Sequence, residues 1–87
     1  DGPPKSAKSR LQEHTQRHLG LKPSYQVTAT SGPPHEQHFE VAVTLEGRIV
    51  ALGSGSSRQR AEEQAARGAL DVLRSDAPAA DSAAAGL

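Results

Sequence analysis

The side chains that could carry covalent chemistry in this sequence are few and poorly placed for it. Glu62 and Glu63 form an acidic pair, but adjacent residues on a helix point about 100° apart. The two carboxylates therefore cannot easily share a metal ion or a proton, and a solvated helix face is the expected role. His14 and His18 stand four residues apart. That spacing can hold a metal on a helix, yet no third ligand lies on the same segment. His35 and His38 sit in and just after a proline-rich stretch. Surface or partly buried imidazoles are the expectation for these residues. There is no Ser/His/Asp order, phosphate-binding glycine loop or metalloprotease pattern. We therefore expect no catalysis by this chain, and no metal or cofactor held by it.

Polar groups with a binding geometry are more promising. Ser9, Gln12, Glu13 and Gln16 recur at the i, i+3, i+4, i+7 spacing of one helix face. Their donors and acceptors could reach ribose 2′-hydroxyls and base edges in the shallow minor groove of an RNA duplex. Glu13 repels phosphate but can accept a hydrogen bond from a 2′-hydroxyl, a group DNA lacks. An ordinary solvated helix face fits the same pattern. A second group, Ser57-Arg58-Gln59-Arg60, opens a helix. Such a terminus offers unpaired N–H groups and partial positive charge, and the two arginines add cations, so it can cradle phosphate. Capping alone also explains it: Ser56-x-x-Gln59 fits a capping box, and Ser57 is an equally good cap. A third group, Gly32-Pro33-Pro34-His35, is stiffened by its prolines and could probe a groove, although most such segments are only turns.

The elements that must carry these groups follow from periodicity. Ser6 to Leu19 is expected to be a helix, capped by Ser6 and ended by Gly20, with Leu11, Thr15 and His18 on its inner side. Tyr25, Val27 and Ala29 alternate with Gln26, Thr28 and Thr30, giving a first strand. Phe39, Val41, Val43 and Leu45 alternate in a second. Glu46-Gly47 makes a tight hairpin, and Arg48 to Leu52 is a third strand that Gly53-Ser54-Gly55-Ser56 ends. Gly53 and Gly55 are expected to turn the chain sharply into a second helix from Ser57 to about Arg74. Ala61, Ala65, Ala69 and Val72 share a face of that helix, with Leu70 and Leu73 at its margin. Tyr25 and Phe39 are the sole aromatic residues, so the core rests on Val, Leu, Ile and Ala. The expected fold is α+β: α-β-β-β-α, a three-stranded antiparallel sheet with two helices packed on one face.

Charge and length narrow the function. Ten Lys+Arg balance ten Asp+Glu in 87 residues. That argues against a purely electrostatic nucleic-acid tail, though not against one basic face. One domain is the limit at this length. Residues 1–5 read as a linker, 6–75 as the folded unit, and 76–87, poor in large apolar side chains, as a disordered tail. There is no cysteine, hence no disulfide and no thiolate metal site, a composition compatible with a reducing compartment. No apolar run is long enough for a membrane span. The chain starts at Asp1 and holds no methionine, which leads us to expect a piece of a longer or processed protein.

Lys8-Ser9-Arg10-Leu11-Gln12-Glu13, then Gly32-Pro33-Pro34-His35 with Phe39-x-Val41-x-Val43, then Gly53-x-Gly55-x-Ser57-Arg58-Gln59-x-Ala61-Glu62-x-x-Ala65-Ala66, together resemble the double-stranded-RNA-binding domain. The order and spacing hold over essentially the whole folded part, which is far more specific than any one motif. The Leu-Gln-Glu opening, the Ser-Gly-Pro-Pro-His loop and the Ala-Glu run are most similar to the C-terminal domain of bacterial ribonuclease III. The resemblance implies binding to one face of an A-form duplex, largely by shape, over about 16 bp. It implies that Ser9, Gln12 and Glu13 enter one minor groove, that His35 and the Pro34 backbone enter the next, and that Arg58, Gln59 and Arg60 face phosphate between them. The family usually has two lysines after the serine, where this chain has Arg58 and Gln59, and often a basic residue before it, where this chain has Ser56. Arg60 adds a cation at a position the family often leaves acidic or variable. Fewer cations imply a shallower salt dependence. His14 stands where relatives often carry an aromatic or aliphatic residue, which implies looser packing of the first helix.

Nothing resembles the nuclease domain of ribonuclease III, whose magnesium-binding acidic motif lies upstream in that family. The resemblance thus implies a substrate-holding module of an endoribonuclease: cytoplasmic, acting in processing such as that of rRNA, monomeric as this piece and homodimeric as the whole enzyme. Two alternatives stay open. One is a duplex-RNA module of another protein. The other is a protein-interaction module of the same fold, which the neutral charge and Gln59 favour and which Gln12, Glu13, His35 and Arg58 disfavour.

Overall fold

Ser6 begins the first helix by accepting a hydrogen bond at Oγ from the Ser9 N–H at 3.2 Å. Helix α1 then runs Ala7–Leu19, and Gly20 closes it in the left-handed region at φ 68°, a conformation that suits glycine. The computed structural model describes residues 6–86, with side chains described as far as Arg74. The linker expected at 1–5 lies outside the described residues.

Three strands follow, β1 (Ser24–Ser31), β2 (His38–Leu45) and β3 (Arg48–Gly55), antiparallel in the order β1-β2-β3. Glu46 and Gly47 both take positive φ, 51° and 79°, as a two-residue hairpin turn of this hand requires. Thr28 is an extra residue in β1, between the pairs Val27–Val41 and Ala29–Glu40, and its hydroxyl donates to the Glu40 carbonyl at 3.3 Å. Such a bulge bends and twists the strand locally.

Helix α2 is Arg58–Gly86. Its cap is Ser57: Oγ accepts from the Arg60 N–H at 3.1 Å and the Ser57 carbonyl accepts from Ala61 at 2.9 Å. The capping box from Ser56 does not form. The helix also passes the expected end near Arg74, so the backbone of 76–86 is helical where a disordered tail was expected. Alanine, the residue most favourable to helix, dominates that stretch, and the lack of large apolar residues was a poor guide to its backbone.

The core lies between the sheet and the helices. Ala7 and Leu11 of α1, Val41 and Val43 of β2, and Ala61, Ala65, Ala66, Ala69 and Leu70 of α2 are buried together. Tyr25, Val27 and Phe39 pack against them from the same face of the sheet. Thr15 is also buried, its hydroxyl satisfied by the Gln12 carbonyl at 3.2 Å. Two expected inner residues are not inside: His18 is exposed, its place on the face taken by Ala7, and Val72 is exposed while Ala66 is buried.

Gly53 and Gly55 are part of β3 and do not end it. A Cβ on Gly53 would overlap the backbone of Ala61 and Ala65. The glycine is there because the helix backbone lies directly on the strand, and the small alanines opposite complete that close approach.

Candidate nucleic-acid interface

Strand register gathers the three polar groups at one end of the molecule. His38 pairs with Ser31 and Phe39 pairs with Gly55, so the β1–β2 loop and the β3–α2 connection leave the sheet at the same end. The start of α1 is held there too. Glu63, in the second turn of α2, accepts from the Ala7 N–H at 2.5 Å and the Lys8 N–H at 3.4 Å. Further along, α1 and α2 stay side by side, with Arg10, His14, Arg17 and His18 lining one depression with Leu70 and Arg74. The two helices therefore run in the same direction, with both N-termini at the loop end.

An open cleft of about 590 Å³ separates those N-termini. Ser9 and Gln12 line one wall, Gln59 and Arg60 the other, with Ser6, Lys8, Ser57 and Glu63 between them. Ser6 donates its hydroxyl hydrogen to Ser9 Oγ at 3.2 Å. Arg60 reaches Ser56 Oγ at 3.4 Å. Since Ser57 occupies the Arg60 N–H, the geometry of a helix start leaves the N–H groups of Arg58 and Gln59 pointing out of the terminus. The arrangement offers hydroxyls and an amide on one side, and a cation with a helix dipole on the other. It suits a ligand with both ribose and phosphate groups.

The other expected residues stand outside this cleft. Glu13 is exposed but lines the neighbouring depression with Arg10, His14 and Arg17, because it points about a third of a turn away from Gln12. Arg58 is 65% exposed, and its Nε lies 3.4 Å from a Glu62 carboxylate oxygen as an ion pair. Pro34 and His35 are exposed on the loop. The loop is closed by the Glu36 N–H on the Pro33 carbonyl at 2.9 Å and by Gly32 at φ 91°.

Glu62 and Glu63 correct the expectation of a solvated face. Both are partly buried. Glu62 accepts from the Lys8 ammonium at 2.5 Å, and Lys8 also lies over the Tyr25 ring, 5.1 Å from its centre. The Tyr25 hydroxyl is buried without a hydrogen-bond partner among the described residues. Burial, then the charges of Glu62 and Glu63, push its pKa up to about 12. Elsewhere on α1, the rings of His14 and His18 are 4.6 Å apart. Burial, His18 and Arg74 hold His14 below the ordinary imidazole value. Among the described residues no three metal-ligating side chains converge, and no helix is long and apolar enough to cross a membrane.

A family model described as double-stranded RNA binding motif matches residues 7–73, nearly the whole of this α-β-β-β-α unit. The chain belongs to that family. As a double-stranded-RNA-binding domain it is similar to part of a group of bacterial enzymes. Ribonuclease 3 of Nitratiruptor sp. is 41% identical over 70 residues, 80% of this chain and 31% of the relative. Ribonuclease 3 of Streptococcus gordonii is 42% identical over 64 residues, 74% of this chain and 28% of the relative. The domain thus spans only about three-tenths of the length of these relatives. Among solved structures, that of Arabidopsis HYL1 matches with a TM-score of 0.68 at 37% identity, over 78% of this chain and 96% of the other. Dicer from Pichia stipitis matches at 0.62 and 25% identity, over 75% of this chain and 31% of that one.

Sequence reasoning did not find Lys8 and Glu63 as parts of the cleft. Their partners lie more than fifty residues away in the chain, so no local pattern announces them.

Proposed function

We propose that this domain binds A-form double-stranded RNA by shape and serves as the substrate-holding part of a ribonuclease III. The observation that carries the reading is the cleft itself: Ser9 and Gln12 face Gln59 and Arg60, at the end of the sheet from which the Pro34–His35 loop projects. Helix α1 and the loop supply the two minor-groove contacts, and the start of α2 meets phosphate between them. Glu13 accepts from a 2′-hydroxyl at the margin of the first groove, and Arg58 keeps its terminal N–H groups for phosphate while its Nε rests on Glu62. Cleavage and its magnesium belong, on this reading, to a nuclease domain elsewhere in a dimeric, cytoplasmic enzyme that processes RNA such as rRNA. This domain alone binds as a monomer and does no chemistry.

A protein-interaction role has one observation in its favour: Ile49 and Leu52, on the edge strand β3, are 62% and 63% exposed. Titration of the chain with an RNA duplex of about 20 bp, long enough for the family footprint, separates the two. The same-sequence DNA duplex and single-stranded RNA are run beside it at low and near-physiological salt. Selective binding of the RNA duplex is expected. Failure to bind it even at low salt overturns the reading and moves the exposed β3 edge to the front.

A further inference from the structure

Two carboxylates of α2 reach across to the start of α1. Glu63 holds the N–H groups of Ala7 and Lys8, two of the donors that a helix start leaves unsatisfied. Glu62, one residue earlier and only 14% exposed, holds the Lys8 ammonium and the Arg58 Nε. Tyr25 closes the cluster from the sheet, beneath Lys8. The bonds to Ala7 and Lys8 join α1 to the first two turns of α2, while the Arg58–Glu62 ion pair lies within α2 and the Lys8–Tyr25 contact joins α1 to the sheet.

We propose that Glu63, supported by Glu62, is a positioning residue that sets the separation of α1 from the α2 N-terminus and so determines the preference for RNA over DNA. This rests on the double-stranded-RNA reading above. The physical reason lies in what the two walls of the cleft read. The phosphate wall, Arg60 and the helix dipole, attracts either nucleic acid. The α1 wall gains its hydrogen bonds only if Ser9 and Gln12 arrive over the 2′-hydroxyls while the other wall sits on phosphate. That coincidence depends on the spacing between walls, and A-form and B-form duplexes differ in that spacing. If the clamp is cut, α1 is no longer held in register. The phosphate attraction remains and is strengthened, because a negative charge beside the cleft has gone. That strengthening is common to both nucleic acids, so it cancels in their affinity ratio, and the ratio reports position alone.

The test compares the wild-type chain with Glu63→Ala and Glu63→Gln. Affinities for RNA and DNA duplexes of one sequence are measured by fluorescence anisotropy, with the folded fraction followed by circular dichroism. In Glu63→Ala the RNA/DNA ratio is expected to fall about tenfold, the size of one well-placed hydrogen bond lost. Affinity for DNA should stay level or rise. Glu63→Gln keeps one acceptor oxygen at the same length and should recover part of the ratio. Loss of fold would weaken both affinities together and leave the ratio unchanged, so a purely structural role gives a different result. If Glu63→Ala does not fold, Glu63→Gln carries the comparison through a smaller drop. A folded variant whose ratio matches the wild type overturns the proposal while leaving the binding function in place. A wild-type chain with no RNA preference instead overturns the function on which it rests.

Discussion

Replacing Gly53 with alanine tests the closest contact in the fold. A Cβ at this position would stand 2.5 Å from the Ala61 carbonyl oxygen and 2.7 Å from the Ala65 Cα, with the Ala65 nitrogen nearer still. All three are helix backbone, so no side chain can swing aside, and ordinary contact for a Cβ begins near 3.4 Å. Helix α2 must retreat by about 1 Å, and a gap of that size forfeits a quarter to a half of each dispersion contact it opens. The contacts at stake are those of Ala61, Ala65 and Ala69, each fully buried. Overpacking usually costs 1–3 kcal/mol, and a clash confined to backbone belongs at the upper end, about 3 kcal/mol. For a domain of this size that lowers Tm by roughly 12–24 °C. The assay is a thermal melt followed by far-UV circular dichroism, with Gly20→Ala as the control. Gly20 has positive φ but nothing within 4 Å of a new Cβ, so its substitution carries only the conformational cost, about 1 kcal/mol. A Gly53→Ala melt no lower than that of Gly20→Ala would refute the close-approach argument.

Two further variants address the site and its surroundings. Arg58→Gln with Arg60→Gln removes two exposed cations from the phosphate end of α2, so the salt slope of RNA binding should become shallower by about 1.8. The wild type's advantage should then shrink roughly twelvefold between 50 and 200 mM salt, alike for all duplex sequences; an unchanged slope would remove these arginines from the interface. Tyr25→Phe deletes a buried hydroxyl that has no partner among the described residues and should raise stability by about 1 kcal/mol in denaturant unfolding at neutral pH, whereas a loss would mean the hydroxyl is satisfied in solution. The same variant should be less sensitive to alkali. The Tyr25 proton is held up to about 12 in the folded chain and leaves near 10 when unfolded. Over that window the unfolded state binds fewer protons, so wild-type stability falls as pH rises, and the difference from Tyr25→Phe should widen.

Where the sequence was readable and where it was not follows from the range of each interaction. The caps of α1 are local: Ser6 and Gly20 act on residues within one turn, and both stand where expected. Strand alternation is local as well, and Val41 and Val43 point inward as read. Gly53 is different. A glycine between strand and helix signals a break and a close approach equally well, and only the arrival of Ala61 and Ala65 on the strand decides for the second. Glu62 and Glu63 are the extreme case. The Arg58–Glu62 pair is local, but Ala7 and Lys8, the partners that tie the two carboxylates to α1, come from the other end of the chain. The division matters for the site. Ser9 and Gln12 were legible as one helical face, and Arg60 as a helix start, because each patch is written in one short segment. Their meeting across a cleft was not, since it depends on bonds between helices more than fifty residues apart. A chain whose ten Lys+Arg are balanced by ten Asp+Glu makes that distinction sharper. With no net charge to draw a duplex onto it, shape selectivity rests, on the proposal above, on how the walls are spaced, and the groups proposed to space them are the ones local patterns could not reveal.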